Sequence, residues 1–187
     1  MTESSRLSRL VSVLRQRSVR FGTFTLASGK TSDLYVDCRT TTLSPEGAAL
    51  IADELLARMP KDVVAIGGPV TGADPIVGAV VGASARTDRP LFGFMVRKEA
   101  KGHGTKVWVE GRGNLQDGDK VVVVEDTVTT GGSLLKAIAH VEATGLVVER
   151  CIVVVDREEG ARERIEAAGY TMDALVRRRD LVATPAD

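Results

Sequence analysis

This chain of 187 residues has little of several things, and each scarcity excludes a class of protein. Its only two cysteines, Cys38 and Cys151, are far apart and lack Cys-x-x-Cys spacing. That leaves no disulfide framework and no structural zinc, and it fits a reducing compartment. Net charge is zero, with 25 basic and 25 acidic residues, so nothing global favours nucleic acid or an anionic membrane. No apolar run approaches the ~20 residues a membrane helix needs. The segment 1–20 has a helical rather than a signal-peptide pattern, so the expected location is the cytoplasm. A Walker loop and Gly-x-Gly-x-x-Gly are both missing, as are any Ser/His/Asp or Cys/His arrangement, internal repeat or low-complexity segment.

What is present is an ordinary globular composition, 43% hydrophobic and 27% charged, with enough length for one domain and a sizeable core. Leu7, Leu10, Val11 and Leu14 repeat at i, i+3, i+4, i+7, which predicts an amphipathic helix within 1–19. The stretch 21–39 loses that period and reads as two short strands around a turn. Ser44-Pro45 opens a helix as N-cap and first helical residue, and Pro60 closes it.

An alternation follows. A strand is expected at 63–66, ending at Gly67-Gly68, and a Gly/Ala/Val-rich helix at 75–85. Strands come next at 91–96 and 121–124, then a helix at 134–143, a strand at 152–155 and a charged helix at about 158–168. Wholly apolar strands separated by helices imply an α/β fold with a parallel sheet covered on both faces. Between the strands at 91 and 121 there is no core helix. A polar segment stands there instead, Arg97-Lys98-Glu99-Ala100-Lys101-Gly102-His103-Gly104-Thr105-Lys106, and long segments of this kind are functional or disordered.

Chemistry concentrates at the carboxyl ends of the expected strands, where parallel sheets bind ligands. The run Val121–Val124 leads into Glu125-Asp126 and then Thr127-Val128-Thr129-Thr130-Gly131-Gly132-Ser133. Glycines admit close backbone approach, and N–H groups at a helix start form an anion site. A phosphate alone gains nothing from two preceding acids. A ligand with both a phosphate and sugar hydroxyls does, since carboxylates accept from hydroxyls and help to hold hydrated Mg²⁺. The plain alternative is a solvated strand end with a capped loop. Likewise, 97–106 is either a solvated basic loop or one that closes over a polyanion and neutralises a leaving group. Tyr35 is either a stacking ring or a core aromatic. His140 falls in the helix pattern, away from these loops, as a surface or interface residue.

The segment Val121–Ser133 resembles the binding motif for 5-phosphoribosyl-1-pyrophosphate (PRPP) of type I phosphoribosyltransferases. Arg-Lys-Glu-x-Lys-x-His-Gly at 97–104, followed by Glu110-Gly111, resembles the mobile loop of the orotate phosphoribosyltransferases among them. The segment Phe24–Arg39 and the strand-end pair Asp156-Arg157 resemble that family's substrate segments. The likeness covers about Leu7 to Arg179, with four motifs in family order. Two positions differ: Ala27 stands where many members carry a lysine, and Val70-Thr71-Gly72 where many carry Tyr-Lys.

The resemblance implies the type I phosphoribosyltransferase fold, a single domain over 1–187 with residues 1–40 as a small N-terminal hood. It assigns Glu125 and Asp126 to the ribose hydroxyls, and Thr127, Val128, Thr129, Thr130, Gly131, Gly132 and Ser133 to the 5-phosphate. Arg97, Lys98, Lys101 and His103 become contacts to PRPP and pyrophosphate. Lys101, His103 and Asp126 carry catalysis, and Thr129, Arg157 and Tyr35 hold orotate. The implied cofactor is Mg²⁺, held by PRPP and water near Glu125 and Asp126. The implied assembly is a homodimer whose mobile loop acts in the neighbouring site. Lys30 is a candidate to replace the charge missing at Ala27. The expected activity is transfer of ribose 5-phosphate from PRPP to orotate in pyrimidine biosynthesis. The alternatives are a phosphoribosyltransferase for another base or a non-catalytic PRPP-binding regulator.

Overall fold

The structure is a computed structural model that describes residues 2–25, 31–99 and 107–182. Helix α1, Glu3–Arg17, is capped by Thr2, whose side chain accepts from the Ser5 N–H. It buries Leu10, Val13 and Leu14, with Leu7 and Val11 packed beside them. Strands β1 (Val19–Thr25) and β2 (Thr31–Val36) follow as an antiparallel pair forming a separate two-stranded sheet. A short α2, Arg39–Thr42, leads into α3, Pro45–Arg58, where the Ser44 hydroxyl accepts from the Gly47 N–H at 3.1 Å. The cap and the helix-starting proline thus act where the sequence places them.

The central sheet is built from β3 (Ala65–Pro69), β4 (Phe92–Val96), β5 (Val109–Glu110), β6 (Lys120–Val128), β7 (Val147–Asp156) and β8 (Met172–Arg177). Their order is β5-β4-β3-β6-β7-β8, parallel except for the antiparallel edge strand β5. Helices α4 (Asp74–Ser84), α5 (Gly132–Glu142), α6 (Ala161–Ala167) and α7 (Arg178–Val182) complete the chain.

Successive strand residues point to opposite faces, and both faces of the sheet are covered. Val122, Val124, Ile152 and Val154 pack with α1, α3 and α4 residues. Val121, Val123, Cys151 and Val153 pack with α5 and α6 residues. Val121–Val124 are all fully buried, each contributing about 1.5–3 kcal/mol relative to exposure. No described helix is long and apolar enough to cross a membrane.

The expected parallel α/β sheet is therefore present, and it departs from the expectation in several places. First, β3 runs through Gly67 and Gly68 instead of stopping before them. A Cβ at Gly67 would lie 2.2 Å from the Phe94 ring, and one at Gly68 would lie 2.0 Å from the Val124 carbonyl. These glycines let neighbouring strands and side chains approach, so they belong to the strand. Second, β6 continues past Val124 to Val128, because β7 supplies ladder partners as far as Asp156. Glu125 and Asp126 thus sit inside a strand and not beyond one. Third, the charged helix expected from about 158 starts at Ala161, after Gly160 in a left-handed conformation. Fourth, the pattern missed β8. Its residues Met172, Leu175 and Val176 are buried, but its polar residues break the apolar run.

Candidate active site

At the carboxyl ends of β3, β4 and β6 lies a cavity of about 510 Å³. Three groups of residues line it. The first is the segment from Tyr35 to Arg39, after and at the end of β2. The second is the strand-end set of Pro69–Gly72, Val96–Lys98 and Glu125–Thr127. The third is one face of α5, Ser133, Lys136, Ala137 and His140.

Glu125 and Asp126 are adjacent in an extended strand, so they point to opposite sides of it. Glu125 continues the Val121/Val123 row toward α5, and Asp126 continues the Val122/Val124 row toward β2 and Gly72. The cavity straddles the strand end and reaches both. Burial, then repulsion from Asp126, pushes the Glu125 carboxyl up to about 7, with Lys98 pulling the other way. Burial also raises Asp126, opposed by the Thr127 N–H, which donates to Asp126 Oδ1 at 2.8 Å, and by Arg39. A Cβ at Gly72 would lie 2.5 Å from that same Oδ1. Only glycine permits this approach, and it brings the segment after β3 against the acid.

Two carboxyls held part-buried gain from a ligand that donates hydroxyls or brings a cation. No cluster of three or more metal-ligating side chains occurs among the described residues. Two neighbouring carboxyls of this kind can hold a hydrated metal ion through its water.

Cations surround the acids unequally. Arg39 is tied to Asp37 through both carboxylate oxygens, at 2.8 and 2.9 Å, and this holds Asp37 below the usual carboxylate range. Arg97 donates to Glu110 Oε1 at 3.1 Å. Lys98 and Lys136 form no ion pair among the described residues, so they are the cations at hand for an anionic ligand.

Gly131 adopts the left-handed region with φ 74° and starts α5, and the unpaired N–H groups of a helix start favour anions. Ser133 lines the cavity, whereas Thr129 and Thr130 are exposed and, like Gly131 and Gly132, do not line it. Val128 turns its side chain into the core, so only its backbone is available to a ligand.

Tyr35 lines the cavity and is 40% exposed, with the Phe24 ring 5.5 Å away. It is a wall residue and not a core aromatic. Arg157 does not line the cavity. It is buried behind β2, where it donates to the Leu34 carbonyl at 3.2 Å and pairs with Glu159 at 3.0 Å. Lys101 and His103 lie outside the described residues, as do Ala27 and Lys30.

His140 corrects the sequence reading. It is not remote: it lines the cavity and stacks on Trp108, with centroids 3.9 Å apart and planes 9° apart. Sequence reasoning also gave no role to Asp37, Cys38, Arg39 or Lys136. The Cys38 thiol accepts from the Thr127 hydroxyl at 3.1 Å, and burial pushes it up to about 12. A signal for the α5 residues existed. Ser133, Lys136 and His140 are spaced i, i+3, i+7, which puts them on one helical face leading away from the cradle.

Known proteins share these features. Residues 44–174 match the family described as the phosphoribosyl transferase domain. An orotate phosphoribosyltransferase of Nostoc sp. is 44% identical over 173 residues, covering 92% of this chain and 84% of the relative. The crystal structure of Mycobacterium tuberculosis orotate phosphoribosyltransferase with Fe(III) dicitrate superposes with a TM-score of 0.80 at 39% identity, covering 95% of this chain and 99% of that one. The same enzyme in complex with PRPP superposes with a TM-score of 0.75 at 32% identity, covering 95% and 92%. With this family match over most of its length and this strand-acid-cradle geometry, the chain belongs to the orotate phosphoribosyltransferase family of the phosphoribosyltransferases.

Proposed function

We propose that the protein transfers ribose 5-phosphate from PRPP to a ring nitrogen of orotate, giving orotidine 5′-phosphate and pyrophosphate in pyrimidine biosynthesis. The observation that carries this reading is the pair Glu125-Asp126, part-buried in a cavity that Thr127 and Ser133, the two ends of the helix-start segment, also line. A sugar phosphate satisfies both features at once. Its phosphate meets the Thr127–Ser133 backbone and hydroxyls, and its ribose hydroxyls donate to the carboxylates. As the C1–O bond breaks, positive charge grows on the ribose ring, and that charge favours ionisation of the two neighbouring carboxyls, which then offset it.

Glu125 and Asp126 would hold, through water, the Mg²⁺ that PRPP carries, and that ion would supply charge to offset the pyrophosphate. Lys98 and Arg97, which line the cavity, serve as cations for that leaving group, with Lys101 and His103 assigned to the same task by resemblance. Tyr35 is the stacking ring for the base and Thr129 a hydrogen-bond partner for it. Arg157 is the orotate carboxylate's partner, and it reaches that role by exchanging Glu159 for the substrate. In a homodimer the segment after Lys98 serves the neighbouring site, and the enzyme works in the cytoplasm.

The test mixes protein, Mg²⁺, PRPP and orotate and follows loss of orotate absorbance. Loss dependent on PRPP supports the reading. Tight PRPP binding with no turnover of any base would instead make the protein a regulator.

A further inference from the structure

Strand β5 is only two residues long and joins β4 through two residue pairs, Met95–Glu110 and Val96–Val109. So short a ribbon has little stability of its own, yet it fixes a cation of the cavity. The Arg97 N–H donates to the Trp108 carbonyl at 2.9 Å, and the Arg97 guanidinium donates to Glu110 at 3.1 Å. On its far side the ribbon is tied down by buried Val109 and by Arg112, which donates to the Thr144 carbonyl at 3.0 Å. On the side next to Arg97, the Trp108 indole packs against the core beside α5 and lies flat on the His140 imidazole. His140 belongs to α5, the helix that begins in the phosphate cradle.

We propose that His140 is a positioning residue: by stacking on Trp108 it holds the β4–β5 ribbon against α5 and so sets Arg97 at the cavity. One helix then fixes both the cradle and a cation across the cavity from it. The kinetic part of this inference rests on the function proposed above, whereas the structural part does not.

The experiment compares His140→Ala, which removes the ring, with His140→Phe, which keeps a flat one. Its first readout is amide hydrogen exchange at Arg97, whose N–H is the group held by Trp108. Exchange is expected to quicken about tenfold in His140→Ala, at the upper end of what one aromatic pair supports, and to stay within about threefold of wild type in His140→Phe. The amides of Val122–Val124 should stay protected in both. If they lose protection, His140→Gln takes the place of His140→Ala as the ring-less variant. Emission from Trp108, the chain's one tryptophan, reports whether the stack has opened.

The second readout is kinetic. His140→Ala should raise the KM for PRPP several-fold while kcat and the orotate KM change by less than about twofold, and His140→Phe should recover most of the loss. Unchanged Arg97 exchange in a ring-less variant whose Trp108 emission has shifted would overturn the proposal, because Val109 and Arg112 would then suffice. A wild-type protein that leaves orotate untouched would sink the proposed function, and the exchange readout would still decide the anchor.

Discussion

Val121–Val124 and Glu125–Val128 are halves of one strand, on one hydrogen-bond ladder with β7, yet they do opposite things. The first half is wholly apolar and fully buried, locked between helices on both faces. The second half holds two part-buried acids whose burial resists their ionisation. One half gains stability from leaving water, and the other loses it. The loss is tolerable because the rigid half holds the acids in place, so that the groups are ready for a ligand that compensates them. Site chemistry of this sort rests on the neighbouring core more than on the acids' own contacts.

The contrast can be broken most strongly at Asp126. Asp126→Asn keeps the shape and removes the charge, so turnover should fall about 10²–10³-fold with no loss of folding stability, as read by initial rates and urea unfolding. The converse change, Val123→Ala, should cost about 2 kcal/mol of stability through the cavity it leaves, seen as a lower urea midpoint. Its KM values should stay near wild type.

A pH series sharpens the same contrast. Glu125 titrates near 7 in the fold against an ordinary 4.5. Its raised value means that the folded state favours the protonated form. The stabilising contribution of that proton is complete below about pH 4.5 and is lost as pH rises through 7. In Glu125→Gln this part of the slope should vanish, making the variant more stable than wild type at pH 8 by about 3 kcal/mol. A parallel wild-type and variant slope in urea midpoint between pH 5 and pH 8 would contradict the assignment. The smallest effect is expected at the cavity wall. Tyr35→Ala should raise the orotate KM about tenfold and Tyr35→Phe should barely change it, as expected for a stacking ring.

The sequence showed some of this and hid the rest for physical reasons. The apolar runs at 121–124 and 152–155 revealed a two-sided parallel sheet, since only strands covered on both faces lack polar alternation. The acids and Gly-rich cradle were legible because their residue types are unusual after such a run. The course of β3 through Gly67-Gly68 was not, because those glycines serve contacts with Phe94 and Val124 that lie far off in sequence. His140 was misjudged for the same reason: its partner Trp108 is 32 residues away, and only the fold stacks them. The buried position of Arg157, under the Leu34 carbonyl, likewise depends on a pairing across the whole chain.

The most direct test of the central claim is a single reaction containing protein, Mg²⁺, PRPP, and equal amounts of orotate, uracil and hypoxanthine. The account predicts that orotate alone disappears, one molecule for each pyrophosphate released, with orotidine 5′-phosphate as the nucleotide formed. Consumption of another base while orotate persists would contradict it.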